Sequence, residues 1–475
     1  MHTLTRMLKP ANCTLILGLL LMSDAMAAEP PRPNIVVFIT DDQSQLDCTA
    51  YGATDLRTPN MQRLAASGMT FDRAYVASPS CAPSRAALLT GLMPARNGAE
   101  PNHSRPRKEI KKWPAYFQEL GYEVVAFGKV SHYKQAELYG FDQHAAGKFM
   151  AKGNMKAAKE YLNSYTGEKP VVFMFGTHQP HVPWPQPRGY NGDEVELPAT
   201  HVDTPTTRKF RSQYYTSVTK ADQMLGTVYD LAREKLGPET MFVFTSDHGA
   251  QWPFGKWNLY EEGTRVPMIV SWPGRVEAGA RTDAMVSWID LLPTLVELAG
   301  GEAPAAPDQI DGRSFAGVLR GEDDKHREQI YTTHSGDGNF NVYPIRAVCD
   351  VRWKYLHNLH PEFKYQTHIT KAGNVDGAGY WVTWVEAARH DQRAAEVVNR
   401  YLQRPGDELY DLESDPLEQH NLAADPAHAE RLEQMRANLE AWMQAQGDQR
   451  ILYGDPVLLE NLPAAAAPSR APLVR

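Results

Sequence analysis

With 475 residues, 42% of them hydrophobic and 22% charged, the chain has the composition of a globular protein large enough for one big core and a smaller second unit. A net charge of −8 excludes a general docking surface for nucleic acid or long polyanions, while leaving room for a local basic pocket that grips one small anion.

Arg6 and Lys9 precede the apolar run Leu15-Ile-Leu-Gly-Leu-Leu-Leu-Met22, and Ala25-Met-Ala27 supplies the small residues of a cleavage site, so residues 1–27 read as a secretory signal peptide. The run is short for a membrane span and no cysteine suited to lipid attachment stands at the cleavage region, so no stable membrane association is expected. The expected location is the periplasm, with the extracellular space as the alternative. Cys13 leaves with the signal, and Cys48, Cys81 and Cys349 remain. Cys48 and Cys349 are expected as unpaired thiols, although an oxidising compartment would permit a bridge.

Asn34-Ile-Val-Val-Phe-Ile-Thr40 predicts a strand buried on both faces that delivers Asp41 and Asp42 at its carboxyl end, where open α/β sheets place their sites. Adjacent carboxylates repel unless a cation neutralises them, which makes this pair either hard-metal ligands or a solvated turn. Thr58-Pro-Asn60 starts a helix that Gly68 stops. Cys81, Pro83, Ser84 and Arg85 form C-x-P-S-R at the start of a helix running through Leu89, whose N-terminus favours an anion.

A second core strand, Tyr122–Phe127, leads to Gly128-Lys-Val-Ser-His132, and a third, Val171–Gly176, to Thr177-His-Gln-Pro-His-Val-Pro183. Residues 207–235 place Phe210, Tyr214, Val218, Ala221, Leu225 and Val228 at helical spacing, a core stripe. A fourth strand, Met241–Ser246, presents Asp247-His-Gly249, and Lys256 follows in a loop. Beyond Tyr343, strands around 346–351 and 353–357 predict an antiparallel subdomain closed by a helix over 430–444, with Leu432, Met435, Leu439 and Trp442 as its buried stripe. Residues 28–342 are therefore read as one domain, 343–460 as a second, and the Ala/Pro-rich 461–475 as a loose tail.

The C-x-P-S-R segment with its following Ala86-Ala-Leu-Leu-Thr-Gly91 resembles the type I sulfatase signature, as do Thr58-Pro-Asn60, His178-Gln-Pro-His181, Asp247-His-Gly249 and the stretch 408–422. Tyr343-Pro-Ile-Arg346 and Tyr355-Leu-His-Asn-Leu359 are similar to N-sulfoglucosamine sulfohydrolases, and the Lys129 to His132 spacing to iduronate sulfatases. The resemblance covers most of the chain from Pro33 to about Asn421. It implies an alkaline-phosphatase-like α/β sandwich with a large, mostly parallel central sheet and a C-terminal α+β subdomain with an antiparallel sheet.

It further implies that a maturation enzyme oxidises Cys81 to formylglycine, whose hydrate is the nucleophile and regenerates the aldehyde when sulfate leaves. Asp41, Asp42, Asp247 and His248 become the ligands of a divalent metal. Calcium is the first choice, with Mg2+ or Mn2+ open, because the imidazole of His248 is an unusual calcium ligand. Arg85 holds the nucleophile, Lys129 and Lys256 bind sulfate oxygens, His181 protonates the leaving atom, and His132 is the base that expels sulfate. His178 is expected behind His181. A zinc site at the two histidines lacks a third soft ligand at the usual spacing. His103, His334, Arg346 and His357 are candidates for gripping the sugar.

The expected substrate is a sulfated sugar from glycosaminoglycans or other polysaccharides, with exo action, and N-sulfoglucosamine leads. Lys256 stands where the N-sulfoglucosamine enzymes carry Arg, which keeps a 2-O- or 6-O-sulfatase in view. From other classes, a phosphonate monoester or phosphodiester hydrolase and a non-catalytic glycan-binding protein are the alternatives.

Overall fold

A computed structural model of the chain describes residues 32–145, 152–307, 309–371 and 379–461. The expected signal peptide and Asp308 lie outside the described residues, as does nearly all of the expected tail. The chain from Pro33 onward clusters as a unit distinct from residues 1–32.

The strands in chain order are β1 (Ile35–Asp41), β2 (Met69–Phe71), β3 (Ala74–Tyr75), β4 (Glu123–Gly128), β5 (Gln143–Ala145), β6 (Val171–Pro180) and β7 (Met241–Ser246). They continue as β8 (Met268–Ser271), β9 (Ala280–Thr282), β10 (Val286–Ser287), β11 (Ile330–His334), β12 (Ile345–Cys349), β13 (Trp353–Asn358) and β14 (Asp407–Asp411). The large sheet has eight strands in the order β5-β4-β6-β1-β7-β8-β2-β9, parallel except for the pairings of β8 with β7 and β2. β3 and β10 pair separately, and β11-β12-β13-β14 form an antiparallel sheet of four.

β1 is buried over its whole length because both faces are covered. Ile35, Val37 and Ile39 pack with Trp113, Leu88 and Leu292 on one side. Val36 and Phe38 alternate to the other side and meet Leu64, Leu225 and Val228. Leu225 and Val228 come from the helix Pro205–Lys235, which starts where the hydroxyl of Thr204 accepts from the Thr207 amide at 3.1 Å and Pro205 presets the first turn. Of the expected stripe, Phe210 is only partly buried and packs on the aromatic cluster of Trp184 and Tyr380.

The four-stranded sheet is covered on one face by the helix Ala429–Gln446, whose Leu432, Met435, Leu439 and Met443 meet Val348, Tyr355 and Leu409. Met443 takes the stripe position expected of Trp442 because 439 to 443 is one full turn on the same face. Trp442 instead stacks on Tyr331 at the edge, with ring centroids 4.6 Å apart. The other face carries Ile345, Ala347 and Leu356 into an aromatic core with Trp252, Phe254, Trp257 and Tyr260. The small sheet thus packs against the loop that carries Lys256. Its first strand, β11, precedes residue 343, where the sequence placed the start of the second domain.

Candidate active site

The parallel strands β4, β6, β1 and β7 are consecutive neighbours, so their carboxyl ends open on one rim. That rim receives Lys129 from β4, His178 and His181 from β6 and the turn after it, Asp41 and Asp42 from β1, and Asp247 and His248 from β7. β6 runs past the expected end at Gly176 to Pro180, opposite Asp41, and so holds His178 in the sheet. Gly128 and Gly176 allow the close approach: a Cβ on Gly176 would lie 2.0 Å from the Lys129 carbonyl oxygen, and Gly128 adopts φ +77°.

Cys81 opens the helix Cys81–Thr90, every residue of which is buried. Its Sγ lies 3.4 Å from Lys129 Nζ, 3.4 Å from His248 Nε2 and 3.7 Å from Asp41 Oδ1. Burial pushes the Cys81 thiol up, against the pull of Lys129 and Lys256. The gene-encoded group is therefore a neutral thiol rather than a ready thiolate nucleophile.

Arg85, fully buried one turn on, forks to Asp247 Oδ2 (Nε, 3.0 Å) and Asp41 Oδ1 (3.1 Å), and also donates to the carbonyls of Lys129 and Val130. Lys129 Nζ bridges both oxygens of Asp41 at 2.8 and 2.5 Å, and His178 Nδ1 reaches Asp41 Oδ2 at 2.9 Å. Burial alone would raise the Asp41 carboxyl, but Lys129, His181, His178 and Arg85 together hold it well below the usual carboxylate range. Lys256 Nζ lies 2.8 and 3.1 Å from the Asp42 oxygens. There burial, with Asp41 and Asp247 nearby, outweighs Lys256 and His248, and the Asp42 carboxyl is raised.

Asp42 sits in the left-handed region at φ 66°, and its amide donates to Asp247 Oδ1 at 3.0 Å. His103 and Trp257, two other residues of this region, share that conformation at φ 66° and 67°. Backbone strain of roughly 1–3 kcal/mol each is thus concentrated around the site.

Two carboxylates and an imidazole meet beside Cys81 in an arrangement that could hold a divalent cation. Asp42, Cys81, Asp247 and His248 offer atoms within 4.8 Å of one another, all buried. His248 Nδ1 lies 3.0 Å from the Gly249 carbonyl, which only an N–H can satisfy, so Nε2 is the atom that faces Cys81 Sγ (3.4 Å), Asp42 Oδ1 (3.4 Å) and Asp247 Oδ2 (3.5 Å). Two buried carboxylates meeting at one imidazole nitrogen favour positive charge between them. Asp41, the fourth expected ligand, is not part of that group and converges instead with His178 and His181.

His181 Nδ1 is 2.6 Å from the Val182 carbonyl, and its Nε2 faces Asp42 at 3.8 Å. Its ring stacks on His178, with centroids 4.6 Å apart. Burial, with Lys256 and Lys129, depresses His181 well below the ordinary histidine value. His132 is likewise depressed by burial, Lys129 and His103, and its Nε2 lies 2.8 Å from His103 Nδ1.

The four sugar-gripping candidates separate. His103 is half exposed beside His132. His334 is buried, with Nε2 3.2 Å from Asn341 Oδ1. Arg346 and His357 are cross-strand partners in β12 and β13, so they share a face, and it is the one turned to the closing helix. Arg346 is wholly buried and spends its donors on Asp448 and on the His334 and Ile345 carbonyls, while His357 turns to Gly406 and Asp407. Strand alternation puts both on the face opposite the one that packs on the loop carrying Lys256. Sequence reasoning missed Asn102 and Asp337. Asn102 Oδ1 accepts from the Ala82 amide at 3.0 Å, and its Nδ2 donates to Asp337 Oδ2 at 2.9 Å. Neither sits in a recognisable motif. The described cysteines Cys48, Cys81 and Cys349 are free, and among the described residues no helix is long and apolar enough to cross a membrane.

Comparison with known proteins agrees with this geometry. The family described as Sulfatase matches residues 33–301, and the family described as N-sulphoglucosamine sulphohydrolase, C-terminal, matches residues 248–368. An ulvan-active sulfatase of Formosa agariphila is 30% identical over 440 residues, 90% of this chain and 83% of that protein. The human N-sulphoglucosamine sulphohydrolase is 27% identical over 522 residues, covering 97% of this chain and 98% of that one. A solved 2-O GAG sulfatase superposes with a TM-score of 0.68 at 24% identity, over 90% of this chain and 95% of its own, and shares the fold. The chain belongs to the sulfatase family and is a sulfuric ester hydrolase.

Proposed function

We propose that the chain removes sulfate from sulfated saccharides by exo action, through formylglycine at position 81 and a divalent cation held by Asp41, Asp42, Asp247 and His248. The observation that carries this is the charge balance around Cys81. Asp41, Asp42 and Asp247 are buried with Arg85, Lys129 and Lys256, so three negative and three positive charges cancel. A bound divalent cation, with calcium the proposed ion, leaves an excess of two positive charges, which matches the charge of inorganic sulfate. The cation supplies electrostatic stabilisation of developing negative charge, and the hydrated aldehyde supplies a nucleophile that needs no second water attack.

The side chains divide the remaining work. Lys129 Nζ, 3.4 Å from Cys81 Sγ, and Lys256 Nζ, held on Asp42, bind sulfate oxygens, exchanging part of their contact with Asp41 and Asp42 for the substrate. His181 spends its Nδ1 proton on the Val182 carbonyl, so it delivers a proton to the leaving atom from Nε2 and works as the imidazolium. The bound sulfate's charge favours that form. Arg85 holds the oxygen on residue 81 while bracing Asp41 and Asp247. His132 accepts a proton at Nδ1, buried and without a partner, in the step that expels sulfate.

N-sulfoglucosamine at a non-reducing end is the proposed substrate, supported by the C-terminal family match and the full-length likeness to the human sulphohydrolase. A 2-O- or 6-O-sulfatase is the second reading, favoured by the 2-O GAG sulfatase fold likeness and by Lys256 at the sulfate-binding position. The proposed setting is the periplasm, reached through a signal peptide over 1–27, with a formylglycine-generating enzyme as the maturation partner. Sulfate release from N-sulfated, 2-O-sulfated and 6-O-sulfated monosaccharides decides between the readings. Activity on aryl sulfates alone would remove the saccharide assignment, and phosphodiester turnover above sulfate ester turnover would replace it with the phosphoryl-transfer class.

A further inference from the structure

Asp337, His103 and His132 form a continuous chain of side chains that ends three residues after Lys129, where His132 feels the charges of Lys129, Arg85 and Asp41. Asp337 Oδ1 lies 3.3 Å from His103 Nε2, and His103 Nδ1 lies 2.8 Å from His132 Nε2. His132 Nδ1 is buried with no hydrogen-bond partner. Asp337 is buried between Gly336 and Gly338, both at positive φ, and its other oxygen accepts from Trp257 Nε1 at 2.8 Å and Asn102 Nδ2 at 2.9 Å. Those two donors leave only Oδ1 to face His103.

The geometry points to an Asp337–His103–His132 triad in which Asp337 and His103 are positioning residues that hold His132 as the tautomer with its proton on Nε2. This rests on His132 being the base proposed above. The hydrogen bonds set the tautomers one after another. A carboxylate can only accept, so His103 carries its proton on Nε2 and offers a lone pair at Nδ1. His132 must then donate from Nε2, which leaves Nδ1 as a bare lone pair. When His132 takes up a proton at Nδ1, the imidazolium formed donates to His103, which is backed by the carboxylate, and the same proton later returns from Nδ1 to water. Burial, Lys129 and a charged His103 oppose the charge on His132, whereas a neutral His103 backed by the carboxylate meets it with an accepting lone pair. Burial would raise the Asp337 carboxyl, but His103, His368 and Asn102 hold it well below its usual range, so the end of the chain stays ionised.

Asp337 lies between β11 and β12 of the small sheet, and its donor Trp257 follows Lys256 directly. Asn102 ties it to the Ala82 amide, next to Cys81. The C-terminal sheet therefore contributes to the chemistry on the rim as well as to packing.

Asp337→Asn tests this with little change of shape. Trp257 and Asn102 keep the amide oxygen on their side, so the amide NH2 faces His103 Nε2 and forces the opposite tautomer on both rings. 15N spectra of histidine-labelled full chain, recorded metal-free with Cys81 unoxidised, should show His132 protonated on Nε2 in the parent and on Nδ1 in D337N. In the mature enzyme, D337N and His103→Ala should each lower kcat by about 10²-fold or more with KM unchanged, the scale of lost general base catalysis, and His103→Gln, which can still accept from His132, should recover part of it. A parent His132 protonated on Nδ1 would overturn the triad. So would full turnover in both D337N and H103A when His132→Ala is inactive. Full turnover in His132→Ala would instead overturn the base assignment, and with it the triad's catalytic meaning.

Discussion

Replacing Arg85 by Met tests whether the buried charges hold one another in place. The guanidinium makes charge-assisted contacts to Asp247 at 3.0 and 2.9 Å and to Asp41 at 3.1 Å, and caps the Lys129 and Val130 carbonyls, all shielded from water. Met keeps an unbranched apolar stem and is smaller, so the change is mainly electrostatic with a lesser packing loss. Breaking a buried pair by removing one partner costs about 3–5 kcal/mol because the other charge stays buried. Two orphaned carbonyls add roughly 1 kcal/mol or more each, partly relieved by relaxation. The expected loss is about 4–6 kcal/mol, a large share of a typical total stability of about 5–15 kcal/mol. Arg85→Lys keeps one charge but loses the fork, and about half of that loss is expected. Urea denaturation of the metal-free, unoxidised chain reads the result as a shift in midpoint at constant slope. A loss below about 1 kcal/mol for R85M, the size of an ordinary surface change, would refute the claim that Arg85 neutralises Asp41 and Asp247.

Further consequences are open to direct measurement. Chelation should abolish turnover and lower the melting temperature, and Ca2+ at about 100 times its Kd should restore activity and add about 2.7 kcal/mol of stability; an unchanged melting temperature would argue against a cation at Asp41, Asp42, Asp247 and His248. His181→Ala should lose far more rate on a sugar sulfate than on an aryl sulfate with an acidic phenol, because only the poor leaving group needs a proton; equal losses would contradict the acid role. Burial pushes His334 down to about 4, against an ordinary 6.5. Its folded value is depressed, so the unfolded chain binds the extra proton, and stability present above pH 6.5 falls by about 1.4 kcal/mol per unit as pH drops toward 4, about 3 kcal/mol in all. His334→Asn should flatten that slope in urea midpoints taken across this range, and an unchanged slope would place the acid sensitivity elsewhere.

The rim was legible because its residues follow core strands whose apolar runs are unmistakable. Ile35–Ile39 and Met241–Phe244 can only be interior, so Asp41, Asp42, Asp247 and His248 had to stand where those strands end. The small sheet was less so. Its two middle strands are legible, but nothing in the residues around 346 and 357 says which face meets the aromatic core and which meets the closing helix, and a shift of one residue exchanges the two. Arg346 and His357 fell on the helix side for that reason. Asp337 and Asn102 were invisible because their roles come from contacts across |i−j| of 235, made through a turn and a loop without a motif. His103 was picked out as a sugar contact, whereas its closest partner is His132.

The central claim is that chemistry at residue 81 begins only once its thiol has been oxidised. Mass spectrometry of the peptide spanning Cys81, on preparations matured to different extents, measures this directly. Sulfate release per molecule should rise in proportion to the fraction of peptide that has exchanged H2S for O, and reach zero where every copy keeps its thiol. Full turnover from a preparation in which Cys81 is entirely unmodified would contradict the account.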